Sequence, residues 1–318
     1  MVDQKNEIKN ALSLLIELVK TARPLHWIKN LSLFAALIFT GTLIIESYFV
    51  TVVWAFISFC LATSAVYIFN DIQDVKKDRL HPIKKNRPIA SGKVPLSIAS
   101  ITSLVLALSS LYLAAILNNL FFFIVLIYLI LQILYSLGLK NMAIIDILII
   151  ATGFVIRVYA GAFVINAHLS VWFLLCVVSV ALFLASGKRR AELSIAKSGE
   201  TRESLTKYKR ELLNSYVTMF GNAAWMSWSL FTFFESPSAD INIWLFFAEI
   251  SKATTFSKLL MATIPVVIFI IMRYEHLIFE DRTESPEKIF LTDKPLIISI
   301  GIYLLMVLAI LYGGVTAL

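Results

Sequence analysis

Charge is scarce in this chain. Asp, Glu, Lys and Arg together make up 15% of its 318 residues, while 59% are hydrophobic; a soluble domain carries about 25% charge. So apolar a chain excludes a soluble globular protein and points to one solvated by lipid. Histidine is limited to four residues and cysteine to two. Cys60 and Cys176 both fall inside apolar runs without metal-ligand spacing, so they read as packing residues and imply no disulfide. His26, His168 and His276 occupy interfacial or loop positions that read as structural, and no Ser/His/Asp or Cys/His constellation can be assembled. Nor do residues 1–22 read as a secretory leader. Asp3 and Glu7 interrupt the basic end and no small-residue cleavage site follows, so residues 1–22 are expected to be retained.

Long apolar runs make up most of the rest. Nine candidate spans lie at about 26–45, 49–69, 95–117, 119–138, 145–166, 169–187, 214–235, 255–272 and 295–313, each near the roughly 20 residues a crossing helix needs. Threaded alternately, they put residues 1–25, 70–94, 139–144, 188–213 and 273–294 on one side, with nearly every Lys and Arg. Only Lys252 and Lys258 lie near the other face. The N-terminus and charged loops are therefore expected in the cytoplasm, and the C-terminus outside, in a multi-pass cytoplasmic (inner) membrane protein. These loops account for the formal charge of +7, which then carries no implication of nucleic acid binding. Short connections at Asn118–Asn119 and around Asn166–His168 predict antiparallel neighbours. The fold expected is all-α integral membrane: a single polytopic domain over residues 1–318, with nine transmembrane helices around a cavity opening to the cytoplasmic side. Ahead of the bundle at 23–318, residues 1–22 predict an amphipathic helix on the cytoplasmic leaflet. Its face of Ile8, Leu12, Leu15, Ile16 and Val19 opposes Asn6, Lys9, Ser13, Glu17 and Lys20.

Against this background the stretch Asn70–Val94 is a dense run of charge. Asn70, Asp74 and Asp78 are spaced i, i+4, i+8, and Asp71 precedes Asp74 by three, so on a helix all four fall within an arc of roughly 100°. Carboxylates packed this closely repel unless a cation lies between them. Hard oxygen ligands of this kind suit Mg²⁺, which keeps some waters and shares its shell with substrate phosphates. Simple solvation of a helix end, with pairing to Lys76, Lys77 and Arg79, is the plainer alternative. Against it, the acids share one face and run into a loop of positive charge, Lys84, Lys85, Arg87 and Lys93. Backbone N–H groups near Ser91 and Gly92, and His81, are further candidates for phosphate. A second basic cluster, GKRRAEL at Gly187–Leu193, follows the sixth span. There Lys188 and Arg189 are expected to face the same cytoplasmic mouth, with Glu192 one turn on, while Arg190, Lys197, Lys207 and Arg210 read as membrane anchors. Arg157, in the middle of the fifth span, is costly unless it faces a polar cavity or an anionic partner. It shares a helix face with Asp146, about 16 Å away.

The run N-D-x-x-D-x-x-x-D at Asn70–Asp78, leading into RPIASG at Arg87–Gly92, resembles the first aspartate-rich motif and loop of the UbiA superfamily of intramembrane prenyltransferases. Further stretches are similar to the branch of that superfamily that transfers phosphoribose to polyprenyl phosphates: RPLHWIKN at Arg23–Asn30, FLASGKRRAEL at Phe183–Leu193, and Tyr135–Phe163 with Lys140, Asp146 and Arg157. Where aromatic prenyltransferases carry a second D-x-x-x-D after the sixth span, this chain has Lys188, Arg189 and Glu192.

The resemblance implies a Mg²⁺-dependent phosphoribosyltransferase. Phosphoribosyl pyrophosphate would donate 5-phosphoribose to a polyprenyl phosphate such as decaprenyl phosphate, releasing diphosphate for a cell-wall or related glycolipid precursor. Mg²⁺ would be held by Asn70, Asp74 and either Asp71 or Asp78, with Asp74, Asp78 and Arg157 serving catalysis. Lys29, Lys84, Arg87, Lys140, Lys188 and Arg189 would share the phosphates with Arg157, in an order the sequence leaves open. An aromatic prenyltransferase of quinone or lipid synthesis is the nearest alternative, and a membrane transporter a more distant one. A homo-oligomer is compatible with either enzyme reading.

Overall fold

The computed structural model describes residues 2–81, 84–195, 205–235, 256–280, 289–290 and 292–313. Lys197, Lys252 and the last residues of the chain lie outside them. Every described regular element is helical: α1 (Val2–Ala22), α2 (Ala35–Phe39), α3 (Glu46–Gln73), α4 (Val75–Leu80), α5 (Leu96–Leu117), α6 (Asn119–Leu137), α7 (Ile145–Val164), α8 (Val171–Ile195), α9 (Arg210–Phe234), α10 (Ile264–Phe279) and α11 (Lys294–Tyr312), with short 3-10 turns between some of them. Among the described residues seven stretches are long and apolar enough to cross a membrane. They are α3, α5, α6, α7, Val171–Leu193 of α8, Leu259–Phe279 and α11.

The two other expected spans differ for separate physical reasons. Pro24–Phe39 is apolar but short, a 3-10 helix through Phe34 that becomes α-helical at Ala35. It stops at the turn Thr40–Gly41, where Gly41 takes φ 74°, a left-handed backbone suited to glycine. Helix α9 has the length, at 25 residues, but Asn214, Ser215, Asn222, Ser227 and Ser229 dilute its apolar character.

The chain divides into two compact units that interleave along the sequence. The first comprises residues 1–34, 50–140 and 159–166. Small hydroxyl residues bind α3 to α5: Ser58 Oγ donates to the Ser110 carbonyl at 2.9 Å, Ser110 Oγ returns a bond to the Ser58 carbonyl at 2.8 Å, and Ser103 Oγ reaches the Ala65 carbonyl at 2.8 Å. Such side chains let helix backbones approach closely where lipid provides no hydrophobic drive. The α5–α6 turn is the expected tight one. Asn118 caps α6 by accepting from Leu120 N–H at 2.7 Å. In α1, Leu14 and Leu18 pack on Ile68, Ile89, Val94 and Ala99. Leu12, Leu15, Ile16 and Val19 form an exposed apolar row. Cys60 is buried and accepts from Asn30 Nδ2 at 3.3 Å, in keeping with a packing role.

The second unit comprises residues 35–49, 141–158 and 167–318. Ile147 and Ala151 of α7, Ala181 and Ala185 of α8 and Leu213 of α9 form one buried cluster with Leu205 and Tyr208. Phe39, Phe173, Trp228 and Phe231 make an aromatic cluster with ring centroids 4.8–5.8 Å apart. Polar links fix the periphery. Tyr312 Oη donates to the carbonyls of Leu37 and Ile38 at 2.9 and 2.8 Å, and Arg273 pairs with Asp293 at 2.7 Å.

Candidate active site

Helix α3 runs for 28 residues, roughly 42 Å at 1.5 Å per residue. That exceeds the roughly 30 Å hydrocarbon core, so an end of the helix must project into polar surroundings. Asn70 and Asp71 lie in its last turn. At Asp74 (φ −89°, ψ 2°) the helix is interrupted before α4, yet the hydrogen-bond ladder continues. Asp74 N–H donates to the Asn70 carbonyl at 2.9 Å and Asp78 N–H to the Asp74 carbonyl at 2.8 Å. The i, i+4, i+8 spacing read from the sequence therefore survives the break.

The four residues separate into two pairs by their partners. Asp71 and Asp78 are 2% and 4% exposed, and arginines neutralise them. Arg23 Nη2 lies 2.5 Å from Asp71 Oδ1, and Arg87 Nη1 lies 3.1 Å from Asp71 Oδ1 and 2.6 Å from Asp78 Oδ2. Asn70 and Asp74 face a lysine instead. Lys140, in the 3-10 turn Leu139–Asn141, sets its Nζ 2.7 and 2.8 Å from the two Asp74 carboxylate oxygens and 3.2 Å from Asn70 Oδ1. Lys140 is buried. Asn70 Nδ2 also donates to Asp74 Oδ2 at 3.1 Å.

This donor set suits a divalent cation shared with a substrate. Among the described residues no three His, Cys, Asp or Glu side chains are arranged to hold a metal by themselves. Mg²⁺ is commonly bound through one or two carboxylates plus substrate phosphates. Asn70 and Asp74, one helical turn apart, offer hard oxygens of that kind.

Arg23 carries a role the sequence reading missed. It adopts φ 53°, outside the usual range for a side-chain-bearing residue. Its guanidinium lies 5.0 Å from the Tyr67 ring centroid. The signals available were a charged residue opening an apolar stretch and its place at the head of RPLHWIKN; a left-handed backbone leaves no mark on an arginine. The stretch that follows is seated on α3 by Trp27 Nε1 donating to Ser64 Oγ at 3.0 Å and Asn30 Nδ2 donating to Thr63 Oγ1 at 3.0 Å. Lys29 lies on this half-buried stretch and Lys84 on the basic loop. The backbone N–H groups of Ser91 and Gly92 do not act as sequence reasoning anticipated. They are taken up inside the loop by the carbonyls of Arg87 at 2.8 Å and Ile89 at 3.2 Å. His81 Nδ1 likewise accepts from Lys84 N–H at 3.3 Å.

The remaining predicted residues, Arg157, Lys188 and Arg189, belong to the second unit. Arg189 has no exposed side-chain surface; its Nε forms an ion pair with Asp146 Oδ2 at 2.8 Å, off the line a hydrogen bond requires, and its Nη1 bonds Glu192. Tyr208 Oη donates to Asp146 Oδ1 at 2.7 Å and accepts the N–H of Ile144. Ile144, a β-branched residue, is held at φ 71°, a strained conformation that persists only where its surroundings enforce it. Burial pushes the Tyr208 phenol above its ordinary value, against the bond from Ile144 N–H, and the Asp146 carboxylate adds to the rise. The tyrosine is thereby kept neutral as a donor. Arg157 is buried, with Nη1 donating to the Gly153 carbonyl at 2.5 Å and its guanidinium 5.8 Å from the Phe154 ring centroid. Lys188 is half-buried.

A chain whose described regular elements are all helical, with this many apolar spans, is a multi-pass membrane protein. The UbiA prenyltransferase family matches residues 30–188. The chain is 36% identical over 285 residues to the decaprenyl-phosphate phosphoribosyltransferase of Mycolicibacterium smegmatis, covering 88% of this chain and 87% of that protein. It is 33% identical over 294 residues to the protein of the same name from Corynebacterium glutamicum, covering 88% and 82%. Among solved structures, a UbiA homolog from Archaeoglobus fulgidus bound to GPP and Mg²⁺ superposes with a TM-score of 0.68 at 17% identity, covering 93% of this chain and 99% of that one. The chain belongs to the UbiA prenyltransferase family.

Proposed function

We propose that this chain transfers the 5-phosphoribosyl group of phosphoribosyl pyrophosphate to a polyprenyl phosphate and releases diphosphate, with Mg²⁺ as cofactor. The observation that carries this reading is its identity, over almost its whole length, with enzymes named for phosphoribosyl transfer to decaprenyl phosphate. Lys188, Arg189 and Glu192, where a second acidic motif would serve a prenyl diphosphate, support it. Topologically, the chain crosses the inner membrane nine times from a cytoplasmic N-terminus, with α1 on the cytoplasmic leaflet.

Asn70 and Asp74 hold the metal, which when bound neutralises charge growing on the departing diphosphate. Asp71 and Asp78 hold Arg23 and Arg87 in place; those side chains are 22% and 29% exposed, so N–H groups remain to grip phosphate oxygens. The bond from ribose C1 to the diphosphate oxygen breaks and its electron pair leaves with the diphosphate. An oxygen of the lipid phosphate forms the new bond to C1. That phosphate is already ionised, so no side chain has to remove a proton. Lys29, Lys84, Lys140, Lys188 and Arg157 serve the phosphates. Arg189, without exposure, is a positioning residue instead of a ligand. The isoprenoid tail stays in the bilayer, where it needs no polar contact.

Membranes carrying the protein, given Mg²⁺, ribose-labelled phosphoribosyl pyrophosphate and polyprenyl phosphate, are expected to yield lipid-extractable ribose phosphate. Prenylation of an aromatic acid from a prenyl diphosphate, with no labelled lipid, would replace this reading with the aromatic one.

A further inference from the structure

The cation beside Asp74 in this structure belongs to the protein itself. Lys140 Nζ approaches both oxygens of the Asp74 carboxylate, at 2.7 and 2.8 Å, and Asn70 Oδ1 at 3.2 Å. It therefore takes the face of the two groups proposed above as metal ligands, and it does so as a buried ammonium. The ion pairs of the cluster match three carboxylates, Asp71, Asp74 and Asp78, with three cations, Arg23, Arg87 and Lys140. With its charge balanced, the cluster has no net negative field to collect a free divalent ion, and a bare ion would meet an ammonium at its ligands.

We propose that Lys140 keeps the metal position closed until the diphosphate substrate arrives, so that metal and phosphoribosyl pyrophosphate load together. The inference rests on the functional reading of the acidic cluster. The polyanionic diphosphate alters the balance in two ways: it brings the negative charge that makes a divalent cation favourable beside Arg23 and Arg87, and it offers Lys140 an alternative anion. Exchange then requires no large movement of backbone, because a lysine is a compact charge on a flexible four-carbon stem. The two arginine-held carboxylates are unsuited to such exchange. Asp71 accepts from two guanidinium groups, and Arg87 bridges it to Asp78, so releasing either acid disrupts the other. The cluster thus combines a fixed half with an exchangeable half, and the lysine marks the exchangeable one.

The test is direct binding of Mn²⁺, followed by the loss of its free-ion electron paramagnetic resonance signal, to the full-length protein in lipid nanodiscs. In the wild type, Mn²⁺ alone is expected to bind weakly, and phosphoribosyl pyrophosphate to tighten it at least tenfold beyond the ion's affinity for that compound in solution. Lys140→Met is expected to bind Mn²⁺ alone at least tenfold more tightly than the wild type and to lose most of the coupling. Lys140→Arg, which restores the charge, is expected to return to weak binding and shows that a change in Lys140→Met is electrostatic and not a folding defect. Asp74→Asn separates this inference from the reading beneath it. If Asp74→Asn removes the Mn²⁺ binding seen with phosphoribosyl pyrophosphate while Lys140→Met binds the ion alone no more tightly than the wild type, the closing role of Lys140 is overturned and the metal site stands. If, with phosphoribosyl pyrophosphate present, Asp74→Asn binds Mn²⁺ as the wild type does, the acidic cluster is not the metal site and both fall.

Discussion

Tyr208 Oη donates to Asp146 Oδ1 at 2.7 Å across 62 positions of the chain, and the same oxygen accepts the N–H of Ile144. One hydroxyl thus ties the turn after Leu205–Lys207 both to a fully buried carboxylate and to a left-handed backbone residue.

Tyr208→Phe removes this oxygen and little else. It leaves Asp146 short of a donor and Ile144 N–H unpaired, a loss of about 1–3 kcal/mol for buried groups. Thermal unfolding of the purified protein is expected to show the drop, with a smaller loss in Asp146→Asn/Tyr208→Phe than the two single changes predict together. Strict additivity would mean that the two side chains do not act as a pair.

The raised phenol of Tyr208 sets the sign of a pH effect. A folded-state value above the ordinary value of about 10 means that the unfolded chain loses this proton first. The contribution is therefore fully present below about pH 10 and falls as pH rises beyond it. Melting curves from pH 8 to 11 are expected to steepen downward above pH 10 in the wild type and to do so less in Tyr208→Phe.

Arg87→Met leaves Asp78 as a buried carboxylate without its 2.6 Å partner. Breaking such a pair by removing one member costs about 3–5 kcal/mol. The double change Arg87→Met/Asp78→Asn is expected to regain much of the stability while phosphoribosyl transfer stays at least a hundredfold down, since the guanidinium is still missing. Recovery of transfer together with stability would reduce Arg87 to a structural role.

Asp74→Asn keeps the size and hydrogen-bonding reach of the side chain and removes its charge. Insertion is expected to persist and the melting temperature to fall, because the buried Lys140 ammonium loses its carboxylate partner, while Mg²⁺-dependent transfer in the labelled-ribose assay is lost. Unchanged turnover would remove Asp74 from the metal site.

Gly161→Ala probes the seating of the Lys29 segment within the first unit. A methyl group at Gly161 would fall on the carbonyl of Leu33, a backbone atom with no rotamer to yield. Overpacking of this kind costs about 1–3 kcal/mol, to be read as a lower melting temperature, with a larger fall at Gly161→Val.

The expectations drawn from particular residues met different fates. Asn118 ended one helix and began the next because an Asn cap is a local device, readable within three positions. The spacing of Asn70, Asp74 and Asp78 likewise survived the break at Asp74, because i, i+4 hydrogen bonds are set by neighbours in the chain. Pro24–Phe39 and Arg210–Phe234 were harder to place. The first ends at a glycine turn after sixteen residues, and the second dilutes its apolar residues with amides and hydroxyls. Phosphate binding by Ser91 and Gly92 N–H groups was plausible from composition, and the loop's own carbonyls claimed them.

By itself the sequence determined a membrane-embedded helical chain, the face on which its acids lie and the family motif they spell. All of these depend on composition and on spacing along a helix, which the chain carries locally. Only the tertiary structure decided that Asp71 and Asp78 belong to arginines while Asn70 and Asp74 belong to Lys140, and that Arg189 is spent on Asp146. Pairings across tens of residues follow from which helices pack together and which charges are then shut away from water, and no periodicity in the chain records that choice.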